Sequence, residues 1–242
     1  MGVLLLACQG PTNSKITEPK LIEFLEKIGV NQQIVNDANQ LIIVKTKDWE
    51  DKNGICYLFE RKNKLFNYVK SFEIVLGRNG MRWGQGLHNV QDSNIKKEGD
   101  GTTPAGVFLL GDGFGNEPVF LMGGWPFRQT TQYDYFIDDS NSKFYNSWVD
   151  KRDVAQDWDS YETMLRDDGL YNRGLVIRHN MEPVKPMFGS AIFFHIWRHK
   201  NHGTAGCTAL SKKNMEALLN WIKKDSNPLV IQLPKNYLDK LL

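Results

Sequence analysis

Two residue types suited to nucleophilic catalysis, a histidine and a cysteine, lie close together near the C-terminal end of this sequence. His195 and Cys207 have eleven residues between them, and an imidazole that takes the proton of a thiol turns it into a strong nucleophile. Gly206 allows the backbone to turn sharply just before the cysteine. In such a turn, the N–H groups of Ala205, Gly206 and Cys207 are candidates to stabilise a developing oxyanion. These are the parts needed for acyl transfer.

A strand, a turn and a helix must position these residues. The apolar, β-rich run at residues 191–197 predicts a strand, on which side chains alternate between faces. One face would carry Ala191, Phe193, His195 and Trp197, and the other Ile192, Phe194 and Ile196. After the glycine-flanked turn at residues 203–207, Ser211 is a good N-cap. An apolar helix face follows it, formed by Met215, Leu218, Leu219 and Ile222.

Other interpretations of these residues remain open at this stage. One alternative is that Cys207 is an ordinary buried cysteine. A zinc site is a second alternative, since zinc prefers histidine and cysteine ligands, and it would use His195, His199, His202 and Cys207. A third interpretation makes His199 and His202 solvated loop residues. His179 is either a second polar group of the site or a turn histidine.

Composition narrows the class of protein. The chain has 242 residues and a net charge of +2 without a basic block, so we expect no nucleic-acid partner. It has no run of 18 apolar residues, so no transmembrane helix is predicted. The three cysteines, Cys8, Cys56 and Cys207, are too few for a disulfide framework. We expect Cys56, in a β-rich segment, to be an inert buried thiol. We also expect the protein to be a monomer.

The N-terminus resembles a bacterial lipoprotein processing site. Leu4-Leu-Leu-Ala-Cys8 places a cysteine after an apolar stretch and a small residue, although no Lys or Arg precedes the stretch. We therefore expect Cys8 to be lipidated and to contact the membrane through its lipid. Residues 1–20 would be this lipoprotein-like N-terminus and a polar tether.

Periodicity predicts a mainly β fold with a few peripheral α-helices. Helical spacing occurs at residues 21–29, and β-rich runs occur at residues 40–46, 55–61, 65–76, 171–180 and 229–233. Residues 160–165 are predicted to form a short helix with Ser160 as its cap. Residues 21–95 would add one helix and further strands to the same globule as the rest of the chain.

The region from about Lys96 to Leu233 contains a series of motifs in one order, and together they resemble the L,D-transpeptidase catalytic domain family (YkuD-like), in its branch with a Thr-Ala-Gly-Cys turn. The motifs are Glu98-Gly-Asp-Gly-Thr-Thr-Pro-Ala-Gly-Val-Phe108, Asp138-Asp-Ser140 with Tyr145-Asn146, Ser160-Tyr-Glu-Thr-Met164, Tyr171 with Leu175-Val-Ile177 and Asn180, Gly189-Ser-Ala-Ile-Phe-Phe-His195, and Thr204-Ala-Gly-Cys-Thr-Ala-Leu-Ser211.

The resemblance implies a β-rich catalytic domain over residues 96–242, with Cys207 as nucleophile and His195 as its base. It implies action on peptidoglycan stem peptides. The thiolate would attack the carbonyl of a diaminopimelate-type residue, expel D-alanine, and pass the acyl group to an amine or to water. It implies no metal and no organic cofactor. The site would face the periplasm or cell envelope, where a lipid on Cys8 would anchor the protein.

The sequence departs from the commonest family pattern at two places. Ala205 stands where that pattern has histidine, and Thr208-Ala209 stand where it often has an arginine that would bind a substrate carboxylate. Arg178, Arg198 and Arg173 are candidates to replace that arginine, and the predicted substrate contacts are Arg178, His179, Arg198 and Thr204. These changes leave an L,D-carboxypeptidase and a peptidoglycan–protein amidase open as alternatives to a transpeptidase. A non-catalytic peptidoglycan-binding lipoprotein and a zinc-dependent hydrolase are further alternatives.

Overall fold

The computed structural model describes residues 15–90 and 93–242, so Cys8 lies outside the described residues. The strands are β1 (Lys15–Thr17), β2 (Gln40–Thr46), β3 (Asn53–Lys62), β4 (Leu65–Val75), β5 (Met81–Trp83), β6 (Thr103–Phe108), β7 (Leu110–Gly115), β8 (Phe127–Gln129), β9 (Asp134–Ile137), β10 (Trp148–Asp150), β11 (Tyr161–Thr163), β12 (Gly174–Ile177), β13 (Phe193–Ile196), β14 (Thr208–Leu210) and β15 (Leu229–Pro234). The prediction of a mainly β fold is confirmed.

Most of these strands belong to one mixed sheet. In the described part of the chain, a 12-stranded sheet runs in the order β5-β6-β15-β2-β3-β4-β14-β13-β12-β7-β8, with β1 paired to β4. A smaller sheet has the order β10-β9-β11. The N-terminal strands β2, β3 and β4 lie between β15 and β14, so both ends of the chain contribute to the same layer.

Helices pack around this sheet. They are α1 (Glu18–Glu26), α2 (Gln32–Asp37), α3 (Lys212–Trp221) and α4 (Lys235–Leu238). The predicted cap of α3 is confirmed, because the Ser211 hydroxyl accepts a hydrogen bond from the Asn214 N–H at 3.3 Å. The apolar face of α3 is buried as its periodicity predicted.

The helix predicted at residues 160–165 is wrong, because the segment forms β11 and pairs with β9. A cross-strand stack of Tyr161 on Tyr135, with ring centroids 4.1 Å apart, holds the pair together. The Ser160 hydroxyl donates to the Asp138 carboxylate instead of capping a helix. Cross-strand contacts made by distant residues thus outweigh a weak local helix preference.

The core lies on both faces of β13. Phe194 packs into the large cluster that also contains the apolar face of α3. Phe193 points the other way, into a smaller cluster with Cys207 and Tyr171. The predicted alternation of side chains on this strand is therefore present. The face that carries Phe193 is the one on which the candidate site is built.

Among the described residues, no helix is both long and apolar enough to span a membrane.

Gln232 provides a test of how the strand next to the candidate nucleophile is held. Its side chain is fully buried, accepts from the Thr208 hydroxyl at 2.7 Å and donates to the Pro104 carbonyl at 3.1 Å. We expect Gln232→Leu to lower the free energy of unfolding by about 2–4 kcal/mol, because it leaves two buried polar groups unpaired. Urea denaturation measures this. The exposed Gln32→Leu serves as control, and an equal effect of both changes would contradict the assignment.

Candidate active site

Pairing of β13 with β14 brings His195 and Cys207 to one face of the sheet. The two strands are parallel, with His195 opposite Ala209. Cys207 directly precedes β14 and lies beside Phe193, whose N–H donates to the Cys207 Sγ at 3.3 Å. Because side chains alternate along both strands, Cys207 and His195 are diagonal neighbours on the same side.

The thiol of Cys207 is held by backbone groups. It is 7% exposed, donates to the Ala191 carbonyl at 3.3 Å and accepts from the Phe193 N–H. Among the described residues, no hydrogen bond joins the sulfur to the His195 imidazole. A substrate that displaces the contact to Ala191 would leave the thiol proton available for transfer.

The imidazole of His195 is oriented by the backbone. Its Nδ1 lies 2.8 Å from the Ile196 carbonyl oxygen, which can only accept, so Nδ1 carries the proton. Tyr171 packs edge-on against the ring, with centroids 5.3 Å apart. Nε2 therefore remains unprotonated and can act as the base. A backbone carbonyl is therefore the group that orients the imidazole.

Burial keeps both groups neutral in the resting site. It lowers the pKa of His195 to about 4 and raises the pKa of Cys207 to about 12. The hydrogen bond from Phe193 and the positive charges of Lys96 and Arg166 lower the Cys207 pKa, but they do not overcome burial. The pair thus rests as thiol and imidazole, and a proton must move as the sulfur reacts.

The turn before Cys207 is closed by Thr204. Its hydroxyl donates to the Cys207 carbonyl at 2.6 Å and accepts from the Gly206 N–H at 3.1 Å. The Gly206 N–H is therefore engaged within the turn. In the described part of the chain, the N–H groups of Ala205 and Cys207 have no protein acceptor, and they remain available to an oxyanion.

The sulfur and the imidazole line one open cavity of about 620 Å³, which we call the Cys207 cleft. Charged side chains of both signs surround it. The cations are Lys52, Arg78, Lys96, Arg166 and Arg198, and the carboxylates are Glu98, Asp138 and Glu162. A ligand with both amine and carboxylate groups matches such a lining.

Motif residues that had no role in the sequence support the backbone that contacts the sulfur. The Asn146 Oδ1 accepts from the Ala191 N–H at 3.1 Å, and the Tyr145 hydroxyl accepts from the Gly189 N–H at 3.1 Å. Ala191 has a φ of +52°, a conformation that is costly for a residue with a side chain. Asn146 thus holds a strained residue whose carbonyl accepts the hydrogen bond of the Cys207 thiol.

Only part of the predicted substrate-binding set reaches the Cys207 cleft. Thr204 and Arg198 line it. Arg178 pairs with Glu182 and lines a different cavity. His179 is buried, with Nδ1 accepting from the Gln85 N–H at 3.2 Å and Nε2 placed 3.0 Å from the Phe188 carbonyl.

Arg173, the remaining candidate for the missing arginine, pairs with Glu117 at 3.3 Å and also does not line the cleft. Several residues that were not predicted from the sequence do line the cleft, namely Lys52, Arg78, Lys96, Glu162 and Arg166. They come from separate segments whose local patterns carry no sign of a shared cavity. Only their charge and their proximity to the motifs could have marked Lys96 and Glu162.

The structure also bears on the other histidines and on Cys56. His199 and His202 are exposed, with ring centroids 5.0 Å apart. Within residues 15–90 and 93–242, no group of three or more His, Cys, Asp or Glu side chains could hold a metal ion. Cys56 is fully buried in the large core cluster, and burial raises its pKa far above the usual value of a thiol.

Comparison with known families agrees with this geometry. Residues 49–231 match the family model described as YkuD, the L,D-transpeptidase catalytic domain. The chain belongs to this family. The match begins well before the first motif at Glu98 and includes β3 and β4, which pair within the same sheet as the site.

One solved structure, described as "Structure of Bdellovibrio bacteriovorus Bd1075", matches with a TM-score of 0.40 and 13% sequence identity. The match covers 81% of this chain and 48% of that chain, so this chain spans about half the length of the other. No curated protein gives a significant match.

Three buried histidines make stability sensitive to acid. Burial lowers the pKa of His88 to about 4, of His179 to about 3 and of His195 to about 4, from an ordinary value of 6.5. Between these values and pH 6.5, the unfolded chain binds more protons than the folded one. The stability contributed by the neutral imidazoles is therefore complete above pH 6.5 and is lost as the pH falls towards 4.

We expect the free energy of unfolding to fall by roughly 1–2 kcal/mol per buried imidazole between pH 7 and pH 5. Urea titrations at both pH values measure it. Replacing the exposed pair His199 and His202 with asparagine should leave the pH dependence unchanged. A denaturation midpoint that is equal at both pH values would contradict the buried, neutral assignment.

Proposed function

We propose that this protein is a cysteine acyltransferase of the cell envelope that acts on peptidoglycan stem peptides. One observation carries the proposal. In a member of the L,D-transpeptidase family, Cys207 and His195 share one face of paired strands and line one open cleft.

The proposed acylation step uses His195 as a general base. The donor peptide enters the Cys207 cleft and the thiol leaves its contact with Ala191. As Sγ attacks the carbonyl carbon, its proton passes to Nε2, the S–C bond forms, and an electron pair moves onto the carbonyl oxygen. When this pair returns, the C–N bond breaks and the departing D-alanine amine takes the proton from His195. The product is a thioester on Cys207.

In the second step, His195 acts as a base towards the acceptor instead of towards the thiol. An acceptor amine or a water molecule attacks the thioester carbonyl, and neutral His195 removes its proton. When the tetrahedral intermediate collapses, the S–C bond breaks and the departing Cys207 sulfur takes the proton back from His195. Transfer and hydrolysis therefore use the same residues and differ only in the acceptor. The mixed charges of the Cys207 cleft support a zwitterionic donor, since a diaminopimelate-type residue carries both ammonium and carboxylate groups.

We further propose that the protein works at the periplasmic side of the envelope, anchored by a lipid on Cys8. The proposal rests on the sequence Leu4-Leu-Leu-Ala-Cys8 and on the location of peptidoglycan. Expression of the full chain with a labelled fatty acid tests it. Wild type should become labelled and Cys8→Ser should not; equal labelling of both would reject the anchor.

A pH profile tests the proposed base. Because the pKa of His195 is about 4, most of the imidazole remains neutral at pH 5.5. We expect the rate of Cys207 acylation by a carbapenem, followed by intact mass spectrometry, to stay within about twofold between pH 7 and pH 5.5. An inflection near pH 6.5 would instead indicate a solvated histidine.

Purified muropeptides test the reaction itself. Wild type should release D-alanine, with dimers formed in the case of transfer and none in the case of hydrolysis. Cys207→Ala should reduce turnover by at least about a thousandfold, because it removes the nucleophile. Cys56→Ala is the matched control, since this second buried thiol lies outside the cleft. Muropeptides that bind but are never changed would favour the non-catalytic alternative.

A further inference from the structure

A buried lysine lies beside the turn that carries the nucleophile. The side chain of Lys96 is 3% exposed. Its Nζ is 3.0 Å from the Asp100 Oδ1 and 3.4 Å from the Lys97 carbonyl. An ammonium group has three N–H donors. Asp100 takes one, and the contact to Lys97 is long.

Asp100 fixes the loop that holds this lysine. Its Oδ1 also accepts from the N–H and the hydroxyl of Thr102, both at 2.8 Å. Its Oδ2 accepts from the Lys97 N–H at 2.7 Å. The carboxylate thus has several partners besides the ammonium, and the loop keeps an anchor when Lys96 forms a further contact.

The ammonium points towards the active-site turn. A Cβ built on Gly206 would lie 3.4 Å from the Lys96 Nζ, and Lys96 lines the Cys207 cleft together with Cys207. The positive charge also acts on the sulfur, since Lys96 lowers the pKa of Cys207 against the effect of burial.

The turn offers an oxyanion the N–H groups of Ala205 and Cys207. The Gly206 N–H is used by Thr204, and Ala205 is exposed. The two positions after the cysteine, where the common pattern often has arginine, are buried strand residues, Thr208 and Ala209. A charged second donor from another segment would strengthen the stabilisation of an oxyanion at the Cys207 N–H.

We propose that the Lys96 ammonium is this second donor, and therefore a catalytic residue. This inference rests on the acylation step proposed above. When Sγ attacks and the carbonyl electron pair moves onto oxygen, the oxyanion accepts hydrogen bonds from the Cys207 N–H and from the Lys96 Nζ. When the pair returns and the C–N bond breaks, the ammonium keeps its own protons and the leaving amine takes its proton from His195.

Single-turnover acylation by a carbapenem tests the proposal, because attack on the β-lactam carbonyl forms the same kind of oxyanion. We expect Lys96→Met to lower the acylation rate constant by about 100-fold with little change in the apparent dissociation constant. Lys96→Arg, which keeps the charge, should recover at least part of the rate. The matched control Lys97→Met removes an exposed cation from the neighbouring position and should behave as wild type.

The pH dependence of Cys207 alkylation by iodoacetamide gives a second readout. Lys96→Met should raise the apparent pKa of the thiol, and Lys97→Met should not. A loss confined to the dissociation constant would show that Lys96 binds a substrate carboxylate, and would overturn the proposal. Wild-type acylation together with an unchanged thiol pKa in Lys96→Met would also overturn it.

Asp100→Asn separates catalysis from loop structure, since it keeps the ammonium. We expect it to retain acylation within about threefold and to lower the thiol pKa, because a cation without its carboxylate stabilises the thiolate more strongly. Acylation lost to the same degree as in Lys96→Met would make Lys96 a structural residue and overturn the proposal. If Lys96→Met does not fold, the thiol pKa of Asp100→Asn decides, and an unchanged value overturns the proposal.

Neither reagent is derived from peptidoglycan, so the two proposals can fail separately. Lys96-dependent acylation in a protein that leaves muropeptides unchanged would reject the proposed substrate and keep the oxyanion assignment. Muropeptide turnover that does not depend on Lys96 would keep the proposed substrate and reject the oxyanion assignment.

Discussion

Parallel pairing of two very short strands, β13 and β14, determines the chemistry of this protein. The pairing places residue 195 opposite residue 209, which puts the imidazole and the thiol on the same face. A shift of one residue would turn either side chain into the opposite core. Both strands lie inside the sheet, with β12 beside β13 and β4 beside β14. The surrounding sheet thus maintains a register that so few residues could not keep alone.

Burial is the second constraint, and it acts on the structure and on the reaction. The aromatic residues Phe114, Phe136, Tyr171 and Phe193 pack in one cluster with Cys207. The ring centroids of Phe136 and Phe193 are 5.1 Å apart. This apolar cluster favours the neutral forms of Cys207 and His195. It would also strengthen any hydrogen bond or charge that meets the oxyanion of the proposed reaction, because the local dielectric is low beside buried aromatic side chains. A site that keeps both groups neutral therefore suits general-base attack better than a standing ion pair.

Many elements could be predicted from the sequence because their signals are local. The alternation along β13, the cap at Ser211 and the strand at residues 40–46 depend on neighbouring residues only, and each was found as predicted. The helix predicted after Ser160 was wrong for the opposite reason. The helix preference of this segment was weak, and the stack of Tyr161 on Tyr135 joins residues that are distant in the sequence.

The candidate substrate contacts show the same division. Arg178 and His179 are close to the motifs in the sequence, yet Arg178 pairs with Glu182 and His179 is bound by backbone groups outside the cleft. Lys96 and Arg166 were not singled out, and both line the cleft. Sequence proximity to a motif does not show whether a side chain reaches the site.

The sequence alone determined which atoms could react: a thiol in a glycine turn, an imidazole on a strand, and the order of motifs that mark the family. These are properties of residue types and of short spacings. Tertiary structure alone decided the protonation states of that pair, the N–H groups left free by Thr204, and the charged groups that face the sulfur. The reason is that desolvation and electrostatic interaction depend on distances between segments remote in the chain, and no local pattern encodes those distances.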